Sequence, residues 1–218
     1  YTGAFKSQGD QNHIRTLSKN DIRFSFLAYT FGTNGIPIPK GKNYLVNLID
    51  IKKIQNDVER AKAVSDIVIV AMHWGTEYER YPNKGQMELA KQLADMGVQI
   101  IIGNHPHVLQ PPAWITGKNG HKTIVFYSLG NYLSAQDEIY ELIGGLATID
   151  VLKTKMNNEV KIELVNPSFF PTYNYYRNNR DFKIKSLQNV EETDLKNSRF
   201  RYEEIMKHMR SNIKDLKN

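Results

Sequence analysis

The sequence contains no cysteine among its 218 residues. Disulfides and thiolate metal sites are therefore excluded, and any metal must be held by histidine, aspartate, glutamate or asparagine. No apolar run approaches the ~20 residues that cross a bilayer as a helix. The first residues, Tyr1-Thr2-Gly3-Ala4-Phe5-Lys6, lack both an initiator methionine and the apolar core of a signal peptide. The expectation is a chain that starts inside a longer protein, with any export signal or anchor upstream. Internal repeats, low-complexity segments and nucleic-acid-binding motifs are also missing, so nucleic acid is not an expected partner.

What is present describes a globular domain. Hydrophobic residues make up 40% and charged residues 24%, enough for one sizeable core. The net charge is +6 and the pI about 9.3, a balance that favours polyanionic neighbours. The excess is uneven: residues 171–218 hold 11 Lys and Arg against 7 Asp and Glu. That segment reads as a basic helical extension, either a solvated tail or a contact surface, and residues 1–170 as the main domain.

The pattern along the chain is α/β. Ser7 to Leu17 reads as a short helix capped by Ser7, and Ile22 to Tyr29 as a strand ending in the turn-rich Phe31-Gly32-Thr33-Asn34-Gly35. Asp50 to Ser65 reads as an amphipathic helix, with Ile51, Ile54, Val58, Ala61 and Val64 three or four apart. The continuous apolar run Ile67 to Met72 marks a strand buried on both faces. Lys84 to Met96 repeats the helix, Gly97 ends it, and Val98 to Ile102 is the next buried strand. Beyond Pro111 an antiparallel sheet is expected, from Ala113–Ile115, Thr123–Leu129, Ile143–Leu152 and Val160–Val165. Asn157-Asn158 serves as one of its turns. Tyr173 to Asn179 reads as an exposed loop. A closing helix, Asp194 to Leu216, has Ile205, Met209, Ile213 and Leu216 on one stripe.

Ligands of such sheets collect beyond the carboxyl ends of the strands, and three histidines follow strands there. His105-Pro106-His107 places two imidazoles at i and i+2, which point the same way in extended backbone. His73, in His73-Trp74-Gly75-Thr76-Glu77-Tyr78, ends the neighbouring strand. His73, His105 and His107 are the candidate metal ligands, and neutral imidazole suits Zn, Fe or Mn. His73, Glu77 and His105 are the candidate catalytic residues. Glu77 reads equally as a ligand, a supporting partner, a general base or a surface carboxylate near Arg80. Tyr29, Asn34, Trp74, Asn104 and Asn131 are candidate pocket residues, although Asn34-Gly35 and Asn131 also suit plain turns. Ser128 lacks the G-x-S-x-G surroundings of a nucleophile.

Four blocks carry a specific resemblance: Ala28 to Gly35, Ala71 to Tyr78, Gly103 to Gln110, and Tyr127 to Tyr132. Together they resemble the CapA (PGA_cap) family of poly-γ-glutamate capsule synthesis proteins, which is similar to calcineurin-like metallophosphoesterases. The resemblance implies a layered α/β/β/α fold, incomplete here at its N-terminal side. It matches His73 to the family's lone-histidine metal motif, and His105 and His107 to its terminal HxH motif. It further implies up to two divalent ions (Mn, Fe or Zn) polarising a phosphate-like substrate and activating water. The remaining motifs, an aspartate after the first strand, a second acid and an Asn-His pair, belong before Tyr1, so about half of a two-metal site is expected in this chain and metal can be absent from it. The implied partners are poly-γ-glutamate, membrane subunits of a capsule synthase, and the missing N-terminal segment of the same protein. The implied place is the outer face of the cell membrane. A metal-dependent hydrolase of another substrate and a non-catalytic assembly subunit are the competing functions.

Overall fold

The computed structural model describes residues 1–157 and 159–218, so the expected turn at Asn157-Asn158 lies partly outside the described residues. In chain order the elements are α1 (Gln8–Asn12), β1 (Arg15–Lys19), β2 (Ile22–Thr30), α2 (Ile51–Lys62), β3 (Ile67–His73), α3 (Lys84–Met96), β4 (Ile100–Asn104), β5 (Leu109–Gln110), β6 (Ala113–Thr116), β7 (Lys122–Phe126), β8 (Ser128–Leu129), β9 (Ile143–Met156), β10 (Glu159–Arg177), β11 (Arg180–Ser186) and α4 (Ser198–Met209). A six-stranded sheet runs β1-β2-β3-β4-β7-β6, a three-stranded sheet β11-β10-β9, and a short pair joins β5 to β8.

Strands β2, β3, β4 and β7 are parallel. The apolar run of β3 is buried because each face meets a different layer. Val68, Val70 and Met72 pack with Ile54, Val58 and Ala61 of α2 and with Ala90 and Leu93 of α3. Ile67 and Ile69 face the other way, toward Ile143 and Ile149 of β9 and Phe169 of β10. The result is helices on one side of the main sheet and a second sheet on the other, a mixed α/β fold.

Helix ends follow local chemistry. Asp50 caps α2 by accepting from the Lys53 N–H. Asn83 and Gln86 form a reciprocal capping box at the start of α3, and Gly97, at φ +96°, accepts the left-handed C-cap.

Several elements differ from the sequence reading. The first helix stops at Asn12 rather than Leu17. Arg15–Lys19 instead forms a hairpin with β2 across Asn20 and Asp21, both at positive φ. The region after Pro111 is not wholly antiparallel, because β7 joins the parallel sheet beside β4. Strand β10 runs 19 residues, through Pro167 and Pro171. A register shift between Val165 and Ser168 absorbs the first proline. Tyr173 and Asn174, expected in a loop, are buried in that strand.

The last helix ends at Met209, earlier than expected. Ile205, Met209, Ile213 and Leu216 are all buried, but the last two come from a non-helical tail whose Lys217 bridges Ser168. The division placed at residue 170 falls inside β10, and Leu187, Ile205, Met209 and Leu216 share a core with Ile67, Ile100 and Phe126. No helix among the described residues is long and apolar enough to cross a membrane.

Helix α4 brings in one titratable group with a consequence for stability. His208 is buried, its Nε2 donating to the Leu109 carbonyl at 3.2 Å. Burial, reinforced by the charge of Arg80, lowers its pKa below the ordinary 6.5. The unfolded chain then binds a proton that the folded chain refuses. His208 therefore costs stability progressively as pH falls from 6.5 through its lowered folded value. Urea unfolding at pH 7.5 and 5.5 should show a smaller loss on acidification for His208→Gln than for the natural chain. Equal losses would mean that His208 is not the group responsible.

Candidate metal centre

The register of the sheet sets the site. Thr30 pairs with His73 and His73 with Asn104, so three strands finish side by side. The chain beyond β3 and β4 must turn there, and it does so in conformations that side chains rarely adopt. His105 has φ +107° and His107 φ +62°. The expected extended HxH is therefore corrected: both histidines are left-handed, in a bend that brings their ring centroids to 6.0 Å. Such backbone is held by its surroundings against a cost of ~1–3 kcal/mol per residue. Pro106 is buried, and its carbonyl accepts from the Tyr78 N–H at 2.8 Å.

That bond ties the histidine bend to the loop carrying Glu77. Glu77, His105 and His107 offer ligand atoms that all lie within 4.8 Å of one another. Glu77 Oε1 is 3.7 Å from His107 Nε2. His73 stands beside this group, with its ring 4.7 Å from that of His105. Phe31 stacks on His73, 5.7 Å away and nearly parallel, and touches His105 at 4.5 Å. Glu77 is not the partner of Arg80, which pairs with Glu204 instead.

The protonation of the histidines suits metal binding. Burial, then the charges of His105 and His107, lowers the pKa of His73. Burial also lowers that of His105, against an opposing pull from Glu77. Both are thus neutral, ligand-competent imidazoles at pH 7. The tautomer of His107 follows from hydrogen bonding. Asn131 Nδ2 donates to the Glu141 carbonyl at 3.0 Å and to Gln136 Oε1 at 2.7 Å. Its Oδ1 therefore faces His107 Nδ1, 3.0 Å away. An oxygen there requires a proton on Nδ1, so Nε2 is the ring nitrogen that faces Glu77.

The other pocket residues divide. Asn131 belongs to the site through His107. Asn104 lies at the strand end and pairs with His73. Its carbonyl accepts from the Trp74 N–H at 3.0 Å. Trp74 is a buried core residue whose Nε1 donates to the Tyr127 carbonyl at 3.0 Å. Tyr29 is buried, and its hydroxyl donates to Asp57 of α2 at 2.9 Å, on the helix side of the sheet. It also helps line, with Thr30 and His73, an open hollow of about 350 Å³. Asn34 sits at φ +51° in an exposed turn closed by the Ile36 N–H bonding the Thr33 carbonyl.

Sequence reasoning gave no role to Gln110, Tyr78 or Gln136. Gln110 is fully buried. It donates to the carbonyls of Glu79 (2.9 Å) and Tyr81 (3.1 Å) and accepts from Gln86 (2.8 Å). It pins the Glu77 loop to β5. Tyr78 stacks on His107 at 6.0 Å, and Gln136 donates to its hydroxyl at 3.1 Å. A glutamine closing the apolar Val108-Leu109 run was the one available signal, because a buried amide must find partners.

An α/β protein with histidines and a carboxylate converging at the carboxyl edge of its parallel strands is the class that fold and site define. The chain belongs to the bacterial capsule synthesis protein PGA_cap family, whose model matches residues 1–136. It is 48% identical over 123 residues to the PGA biosynthesis protein CapA of Bacillus subtilis (strain 168), covering 56% of this chain and 28% of that protein. It is 36% identical over 140 residues to the capsule biosynthesis protein CapA of Bacillus anthracis, covering 62% and 33%. The chain thus spans about a third or less of the length of these relatives.

Among solved structures, the NAD nucleotidase NadN of Haemophilus influenzae aligns over 94% of this chain and 40% of its own, at 10% identity and TM-score 0.47. A 5'-nucleotidase precursor from Thermus thermophilus aligns over 70% and 29%, at 18% identity and TM-score 0.41. At these scores neither likeness defines a fold or an activity.

Proposed function

We propose that this chain carries a divalent-metal centre of a capsule biosynthesis protein that handles poly-γ-glutamate at the bacterial cell surface. The observation that carries the reading is the convergence of Glu77, His105 and His107, with two strained histidine backbones and a fixed His107 tautomer. Strain of this kind is retained where geometry serves a site. The donor set of two imidazoles and one carboxylate suits Mn, Fe or Zn. His105 Nε2 or Nδ1, His107 Nε2 and a Glu77 oxygen would hold the ion. A bound ion would supply Lewis acidity toward a carbonyl or phosphoryl oxygen.

The protein's own groups do the rest. Asn131 keeps the proton on His107 Nδ1, so Nε2 stays available. His73, neutral and stacked on Phe31, faces the same edge and is placed to accept a proton from a reacting group. Poly-γ-glutamate is the proposed polymer: a relative carries PGA biosynthesis in its name, and the chain is basic. Membrane subunits of a capsule synthase, the rest of the same protein and an upstream anchor are the proposed partners and tether.

The test is capsule formation in a producing bacterium whose own copy carries His105→Ala or His107→Ala. Loss of polymer with normal protein abundance is the expected result. Undiminished polymer from both variants would refute a role for the centre in biosynthesis.

A further inference from the structure

Gln110 holds the Glu79 and Tyr81 carbonyls from within the residues the family model matches, but the side chains that grip Arg80 and Tyr81 come from beyond those residues. Arg80, three residues after Glu77, donates from Nη1 to Glu204 Oε1 at 3.0 Å. Its guanidinium lies 3.7 Å from the centroid of the Tyr140 ring. Tyr140 donates its hydroxyl to the same Glu204 oxygen at 2.7 Å, and Arg201 donates to Oε2 at 3.0 Å. Burial would raise the Glu204 pKa, but the hydrogen bonds from Tyr140, Arg201 and Arg80 outweigh it and hold it below the ordinary carboxylate value. Next along the loop, Tyr81 meets the ring of His208 edge-on at 4.9 Å. Helix α4, with Tyr140, therefore holds the side chains of residues 80 and 81, Gln110 holds the backbone there, and the Tyr78 N–H holds the Pro106 carbonyl. Glu77 stands between Gly75, at φ +95°, and Tyr78, at φ +67°. Its own side chain is 51% exposed. Its place against His107 is set by the loop and not by packing around its carboxylate.

We propose that Glu204 is a positioning residue for the metal centre: it clamps Arg80 and thereby sets Glu77 against His107. This rests on the reading of Glu77, His105 and His107 as a metal centre. The clamp is specific in chemistry. A planar guanidinium stacked on Tyr140 and bonded to a carboxylate has one orientation, whereas a lysine at position 80 would keep the charge and lose the orientation. Without the Glu204 charge, the Arg80 guanidinium, already partly buried with its Nη2 lacking a protein partner, gains by turning out to water and drawing the loop with it.

The experiment is Co2+ titration of the 218-residue chain, read by visible absorption, which reports the ligands around the ion as well as the affinity. Glu77→Gln is expected to weaken binding and alter the spectrum. Glu204→Gln should reproduce that altered spectrum with about a tenfold weaker affinity, as for other supporting partners of metal ligands. The double variant should bind no worse than Glu77→Gln alone, because both changes remove one contribution. Asp66→Asn breaks the ion pair with Lys153 at the opposite, amino edge of the sheet and should leave the spectrum unchanged, which separates positioning from general destabilisation. Arg80→Lys is the second route should Glu204→Gln fail to fold, and the same altered spectrum is expected. A natural spectrum and affinity in a folded Glu204→Gln or Arg80→Lys would overturn the proposal, as would additive losses in the double variant. No binding of Co2+ by the natural chain would overturn the metal reading, and this inference with it.

Discussion

Gly103→Ala should destabilise the chain by ~3 kcal/mol or more, the upper end of what overpacking a core costs. A Cβ at Gly103 would lie 2.0 Å from the Tyr127 carbonyl oxygen and 2.5 Å from Trp74 Nε1. No backbone contortion is at stake, because Gly103 does not have a positive φ. The obstacle is space, and neither neighbour can yield cheaply. The Tyr127 carbonyl belongs to the break between β7 and β8, in the middle of the fold. The Trp74 indole is buried and bonded to that carbonyl. Pushing them apart leaves a buried donor and acceptor unpaired, a further ~1–3 kcal/mol. The same movement displaces His73 and His105, one residue from Trp74 and two from Gly103. Gly32→Ala is the control, since its Cβ would meet nothing within 4 Å. Urea midpoints measured by tryptophan fluorescence decide the matter, and a Gly103→Ala chain within about 0.5 kcal/mol of the natural one would show the close approach to be wrong.

His107→Ala and Asn131→Leu should both weaken Mn2+ or Zn2+ binding, to different degrees. His107 is proposed as a direct ligand, so its loss should remove about 100-fold or more in affinity, beyond what a supporting partner contributes. Asn131 acts only through the proton it keeps on Nδ1. Removing that partner should cost about 10–100-fold, the usual effect of a group that orients a metal-bound histidine. Leucine is close in size to asparagine but cannot accept the Nδ1 proton, so the imidazole becomes free to tautomerise and rotate. Calorimetric titration at pH 7 measures both. Unchanged affinity in Asn131→Leu would remove the tautomer argument, and unchanged affinity in His107→Ala would remove the site.

The parallel core was legible because periodicity is local. Lys84 to Met96 reads as a helix from its apolar positions and Gly97, and the structure gives it those bounds. The β3 run could be assigned to a strand buried on both faces because no polar residue interrupts Ile67 to Met72. The later strands were harder. The strand expected to end at Val165 continues through prolines at 167 and 171: a register shift accommodates one, and Pro171 pairs with Gly145. Tyr173 and Asn174 looked like loop residues by composition. Asn174 is buried because its Nδ2 reaches the Asn131 carbonyl at 3.1 Å, a contact between residues 43 positions apart.

The sequence by itself determined the histidines and where they stand: at the ends of buried strands, at the one edge of a parallel sheet where chain reversals leave polar groups exposed. Strand alternation and helix period are properties of neighbouring residues, so they can be read without a fold. Only the tertiary structure decided which groups converge. It drew Glu77 to His107, turned His73 toward Phe31, and put Asn131 behind His107. It also brought α4, which composition left as either a solvated tail or a contact surface, onto the loop that carries Glu77. Those choices depend on loops held by long-range bonds from Gln110, Asn131 and Glu204, and such bonds leave no periodic trace in the chain.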